Sequence, residues 1–220
     1  MTEPLDPTLR PAAELAQAMV AQWKRVSDDV RDVDDWDTPT RLAGWTARTL
    51  LGHLVVVAEA IPRTLAEPRT DDEPTSVYVV FRGASGRAAD NDQRAREFAA
   101  AADPAVLVTR LDAAVAAARG MVDHVDGDAV LPTRFGPLPT RHFLVHRIVE
   151  GVVHGLDLST AHVPDPLALD VCASALRELL LQTRPDVAGQ VPADEIGWVE
   201  AATGRVPAPA ELRDVLPLLA

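Results

Sequence analysis

Apolar residues at steps of three and four run through four long stretches of this chain, and breaker-rich segments separate them. That period belongs to amphipathic helices packed against one another. The first stretch reads from about Pro11 to Arg31, with Leu15, Met19, Trp23, Val26 and Val30 on one face. Asp34-Asp35 and Asp37-Thr38-Pro39 end it, and Trp36, Leu42 and Trp45 in the loop are expected to anchor onto the bundle. Thr46 is a plausible N-cap for a second helix over about Ala47–Leu65, which Pro62 should kink or shorten. Residues 67–90 are irregular: a polar, breaker-rich stretch leads to the β-prone SVYVVF (76–81), which reads as a functional lid or a partly ordered loop. Helical propensity returns at Asn91–Ala102. Asp103 then stands as a capping residue before Pro104, opening a third long helix that carries toward Gly127. A linker over 128–139 leads to a fourth helix, capped by Thr140 and running over about Arg141–Thr160. Asp165-Pro166 opens a shorter fifth helix through Leu181, and the last forty residues, with Trp198, read as one or two short helices folded back. The expected architecture is all-α. It has a four-helix bundle over residues 1–163, with two longer crossings, and a short helical C-terminal region over 164–220 packed on it.

Composition excludes several classes. With 33 acidic against 21 basic residues, the net charge is -12 and the pI about 4.8. Nonspecific binding to nucleic acid or an anionic membrane is therefore not expected, because it depends on Lys and Arg neutralising phosphates. No run resembles the ~20 apolar residues of a membrane span. The start of the chain lacks the basic and apolar pattern of a secretory signal. Cys172 is the single cysteine, which excludes an intrachain disulfide and a four-cysteine zinc site and suits a reducing cytoplasm. Lys24 is the single lysine among the 21 basic residues; with abundant Ala, Asp and Val this suggests a GC-rich genome.

The fourth helix carries the chemistry. At about 100° per residue, with Glu150 at zero, His154 falls near +40°, His146 near -40°, Arg147 near +60° and Asp157 near -20°. The opposite side is Leu144, Val145, Ile148, Val149, Val152 and Leu156. Such a polar face either meets water or lines a site. Two histidines flanking a glutamate one turn away on each side are an unusual choice for a solvated face. Glu150 and His154, one turn apart, suit two ligands of one metal. A third is on offer in the second helix, where His53 stands within LLGHLVVV (50–57). A lone histidine on an apolar helix is either a satisfied core residue or a ligand. If it is a ligand, His53, Glu150 and His154 make a two-His, one-carboxylate set with an open position, as in catalytic zinc sites.

Two stretches resemble a known family. PTRLAGWTARTLLGHL (39–54) and Arg147-x-x-Glu150-x-x-x-His154-Gly-Leu-Asp157-Leu are similar to the two signatures of the mycothiol-dependent maleylpyruvate isomerase family, within the DinB-like helical-bundle superfamily. The resemblance covers about residues 10–160. It implies a DinB-like four-helix bundle with a divalent metal, usually zinc, on His53, Glu150 and His154. It also implies mycothiol, the low-molecular-weight thiol of actinobacteria, as co-substrate. The isomerases carry an α/β domain after the bundle, whereas only about 55 residues follow here. WVEAATGR (198–205) resembles a piece near the end of shorter family members, and Arg205 is the nearest counterpart of an arginine that assists the isomerases.

The reading that follows is a cytoplasmic, metal-dependent transferase or isomerase. The thiolate of mycothiol would attack a small electrophile, and Arg147 or Arg205 would hold a substrate carboxylate. His146 would be a cavity partner or proton shuttle, and Asp157 would orient a ligand imidazole or Arg147. No nucleic acid or membrane is involved, and the chain is a monomer or homodimer. Two alternatives stand beside it: a non-catalytic metal-binding or regulatory module, and a metal-water hydrolase with His146 as base. Cys172 is expected to be inert core, His124, His142 and His162 to lie at the surface, and Trp36 and Trp45 to be packing anchors.

Overall fold

A computed structural model describes residues 6–159 and 161–219. The first five residues, Thr160 (the expected end of the fourth helix) and Ala220 lie outside the described residues. In chain order the helices are α1 (Ala12–Arg31), α2 (Ala47–Ala66), α3 (Val77–Arg82), α4 (Ala88–Ala100) and α5 (Pro104–Arg119). A hairpin of β1 (Val130–Thr133) and β2 (Gly136–Pro139) follows, and then α6 (Thr140–Leu158), α7 (Pro166–Leu181) and α8 (Glu195–Ala202). The expected all-α bundle is present. α1 packs on α6 and α5, and α2 packs on α5 and α6, closing a four-helix ring. α4 lies along α2, α3 touches α6, α7 covers α6 and α1, and α8 packs on α7. One continuous apolar core runs from Leu15 and Trp23 to Trp198 and Leu212.

The caps follow local chemistry. The Thr46 hydroxyl accepts the Thr49 N–H, and the Asp165 carboxylate accepts the N–H groups of Leu167 and Ala168, each at 3.1 Å. Asp103 precedes α5 without a side-chain cap bond. Thr140 is the first residue of α6 and not its cap; its hydroxyl and N–H both donate to the carbonyl of Ala129, tying the helix to the hairpin. Pro62 sits in the last turns of α2, which runs on through Ala66, so the expected shortening does not occur. α2 corrects the expectation that no run resembles a membrane span: it is long and apolar enough to cross one, with mean hydropathy 1.3, although most of its apolar residues are buried in the bundle.

Three further expectations need correction. SVYVVF is not β-like: Ser76 caps α3, and Val77, Tyr78, Val80 and Phe81 are buried against the core. β-branched residues follow tertiary packing more than intrinsic preference when one face is covered. The 128–139 linker holds the hairpin, in which Leu131 pairs with Leu138 and both are fully buried, while its prolines take ladder positions a two-stranded ribbon tolerates. α5 stops at Arg119, and only a short 3₁₀ turn, Val122–His124, continues toward Gly127.

Two glycines have steric reasons. A Cβ on Gly52 would lie 2.5 Å from the Ala95 carbonyl oxygen and 2.9 Å from the Ala99 nitrogen, so only glycine lets α4 approach α2 beside His53. Gly44 has φ +79°, a conformation glycine adopts without strain, and there the chain turns to present Trp45.

Candidate metal centre

α6 and α2 face each other across the bundle, which brings His53 of α2 to Glu150 and His154 of α6. One ligating atom from each of the three lies within 4.8 Å of the others. His53 Nε2 is 3.2 Å from Glu150 Oε2, and His154 Nε2 is 3.5 Å from the same oxygen. Bonds of ~2.1 Å in a tetrahedron separate neighbouring ligand atoms by about 3.4 Å, so these spacings suit one small divalent ion.

A buried carboxylate orients the imidazole of His154. Its Nδ1 is 2.9 Å from Asp157 Oδ2. Asp157 is 1% exposed and accepts two bonds from Arg205, Nε to Oδ1 at 2.9 Å and Nη2 to Oδ2 at 2.7 Å. With Nδ1–H donated to the carboxylate, Nε2 is left facing Glu150, and its lone pair becomes available to a cation once the Nε2 proton is displaced. Trp45 stacks on His154 at 6.5 Å and meets His53 edge-on at 5.5 Å, so the packing anchor of the sequence reading is also a wall of the site.

Electrostatics separate the groups. Burial alone would push the Glu150 carboxyl up, but hydrogen bonds from His154 and His53 hold it well below the usual range. Burial disfavours a charged His154, yet Asp157 and Glu150 outweigh it and raise its pKa to about 9. Burial lowers His53. Asp157 is held below the usual carboxylate range: burial opposes this, and Arg205 and His154 overcome it. In the ion-free state His154 therefore carries a proton at neutral pH, which a bound cation displaces.

The triad opens on a cavity of about 530 Å³ walled by Trp45, Phe81, Phe135, Val153, Arg87 and Arg134, among others. His146 lines it too, packed between Phe81 and Phe135. Its Nδ1 takes a hydrogen bond from Arg147 Nη2 at 2.6 Å, and its Nε2 is 3.6 Å from Glu150 Oε1. Burial and the Arg147 charge lower its pKa to about 3. Accepting at Nδ1 fixes the Nε2–H tautomer, so His146 presents a donor to the cavity.

The other sequence candidates are dispersed differently. Arg147 is 4% exposed and stands behind His146, over the ring of Phe143, and is not among the residues walling the main cavity. Arg205 does line the cavity, with all three guanidinium nitrogens engaged: two on Asp157 and Nη1 on the Thr203 carbonyl at 2.6 Å. Cys172 is fully buried and burial raises its thiol pKa, as expected of inert core. His162 corrects the sequence reading. It is 5% exposed, with Nδ1 on Asp29 and Nε2 3.0 Å from Gln22 Nε2, because the chain after α6 folds back onto α1. His142 is half-buried, and its Nδ1 accepts the Val77 N–H. Sequence reasoning missed Arg87, Phe81, Arg134 and Phe135; only the Arg-Phe pair at the tip of a hairpin would have signalled Arg134 and Phe135.

Comparison with known proteins identifies the fold and the family. The family model described as mycothiol maleylpyruvate isomerase N-terminal domain matches residues 19–159, from within α1 to the end of α6. A solved structure, "Crystal structure of the mycothiol-dependent maleylpyruvate isomerase", superposes with TM-score 0.54 at 16% identity, covering 80% of this chain and 71% of that one. That likeness shows a shared fold. No curated protein matches the chain. The matched family model spans more than half of the sequence and contains all three residues of the triad: this chain belongs to the mycothiol maleylpyruvate isomerase N-terminal domain family.

Proposed function

We propose that this protein is a metal-dependent, mycothiol-using transferase or isomerase acting on a small electrophile. The observation that carries the reading is the His53–Glu150–His154 cluster at the wall of a cavity roomy enough for a thiol and a second molecule. A divalent metal, zinc first among the candidates, would be held by these three residues and would supply an open position at which a thiol ionises at neutral pH.

The protein's own residues do the rest. Asp157 fixes the tautomer of His154, and Arg205 holds Asp157 in place, so Arg205 acts as a positioning residue. Trp45, Phe81 and Phe135 line the cavity with apolar surface and limit water around a nucleophilic sulfur. The guanidinium groups of Arg87 and Arg134 put positive charge on the cavity wall, where it favours a thiolate and an anionic electrophile. His146 offers its Nε2–H to a developing negative charge. Its Nδ1 lone pair is already taken by Arg147, so the alternative in which His146 is the base for water loses support.

Turnover of an electrophile panel (activated double bonds and epoxides) should require both mycothiol and metal. Equal turnover without thiol would favour hydrolysis, and none under any condition would favour the non-catalytic module.

A further inference from the structure

A second, smaller cavity of about 80 Å³ lies behind the hairpin tip and shares Arg134 and Phe135 with the main one. Four arginines line it: Arg63 of α2, Arg94 of α4, Arg134 of the hairpin and Arg147 of α6. Thr64 and Thr133 are its hydroxyl residues, and none of the residues lining it carries a carboxylate. In a chain of net charge -12, four guanidinium groups without an acidic partner in their own pocket are out of balance.

The buried member is the most informative. Arg147 is 4% exposed, and its Nε has no hydrogen-bond partner among the described residues. A buried guanidinium N–H left unpaired is costly, so its partner is expected to be something that enters the pocket. Neither Arg63 nor Arg94 makes an ion pair among the described residues. Two aromatic rings hold the charged planes: Arg134 lies 4.5 Å over Phe135, and Arg147 lies 5.2 Å over Phe143. Stacking occupies a guanidinium face and not its N–H edge; there Arg147 Nη2 is on His146 and Arg134 Nη2 is on Asn91, while Arg147 Nε is left for an oxyanion.

We infer that this four-arginine pocket is a binding site for a small oxyanion, a carboxylate or phosphate group, distinct from the metal triad but adjoining its cavity. The pocket, at about 80 Å³, has room for one such group. The inference rests on the arginines and not on the thiol chemistry.

The test is calorimetric titration of chelator-treated protein with inorganic phosphate and, separately, with acetate. Saturable binding of either is expected, and the anion that binds identifies its source as a phosphate or a carboxylate compound. Arg63→Gln and Arg94→Gln, on exposed side chains that leave the fold intact, should each weaken it by about tenfold. No binding of either anion, or binding unchanged in both variants, would overturn the assignment. So would binding that appears only after metal is restored, because the anion would then sit at the triad. Anion binding with no thiol-dependent turnover would leave this site standing while removing the proposed activity.

Discussion

Removing the metal with a chelator is expected to lower the melting temperature by on the order of 10 °C. The ligands come from two helices, so the unfolded chain does not hold them together, and the ion binds the folded state preferentially. At free metal about a thousandfold above Kd this linkage amounts to ~4 kcal/mol, and ~1 kcal/mol moves the midpoint of a chain this size by about 2–4 °C. His154→Ala should abolish the chelator effect while the apolar core still folds. The effect should also depend on pH. His154 holds a proton up to about 9 in the ion-free fold, so metal binding releases that proton and strengthens as pH rises from neutral toward 9. Differential scanning fluorimetry with and without chelator across that range checks it; identical curves would mean the triad holds no ion.

The second large effect is expected at Asp157. Asp157→Ala strips Arg205, whose side chain is 11% exposed, of its carboxylate and leaves the His154 Nδ1–H without an acceptor. Breaking a buried pair from one side typically costs about 3–5 kcal/mol. The change would also loosen the C-terminal segment from α6, since Arg205 lies beyond α8. Asp157→Asn keeps the shape and loses the charge, so it should recover part of the stability. The sign with pH follows from the depressed Asp157 pKa. Its stabilisation is fully present above the ordinary carboxylate value near 4 and is lost as pH falls through the folded value. Denaturant unfolding of wild type and Asp157→Asn should therefore converge in acid and differ at neutral pH; a constant difference would show that the charge is not what stabilises.

The three clustered residues were legible in the sequence because two of them are local to one helix and the third breaks an apolar pattern. Glu150 and His154 sit one turn apart, and His53 interrupts an apolar helix; both facts survive without coordinates. The bundle itself was legible from the three-four spacing. The cavity wall was not. Arg134 and Phe135 reach the site only because Leu131 pairs with Leu138 in a proline-rich hairpin whose register no local pattern announces. The α3 segment misled because β-branched residues read as strand, although Ser76 caps a helix there and Phe81 lines the cavity. His162 misled for the opposite reason: it follows a helix end, where residues are commonly exposed, but the chain doubles back and buries it against Gln22 and Asp29.

The central claim is that His53, Glu150 and His154 hold a metal open to an external thiol. The most direct measurement is the visible and near-ultraviolet spectrum of cobalt-substituted protein titrated with mycothiol. A sulfur-to-metal charge-transfer band should grow in saturably, be absent in His53→Ala, and be unchanged in Cys172→Ser, whose side chain is fully buried in the core. A band that needs Cys172, or no band with any small thiol, would contradict the account.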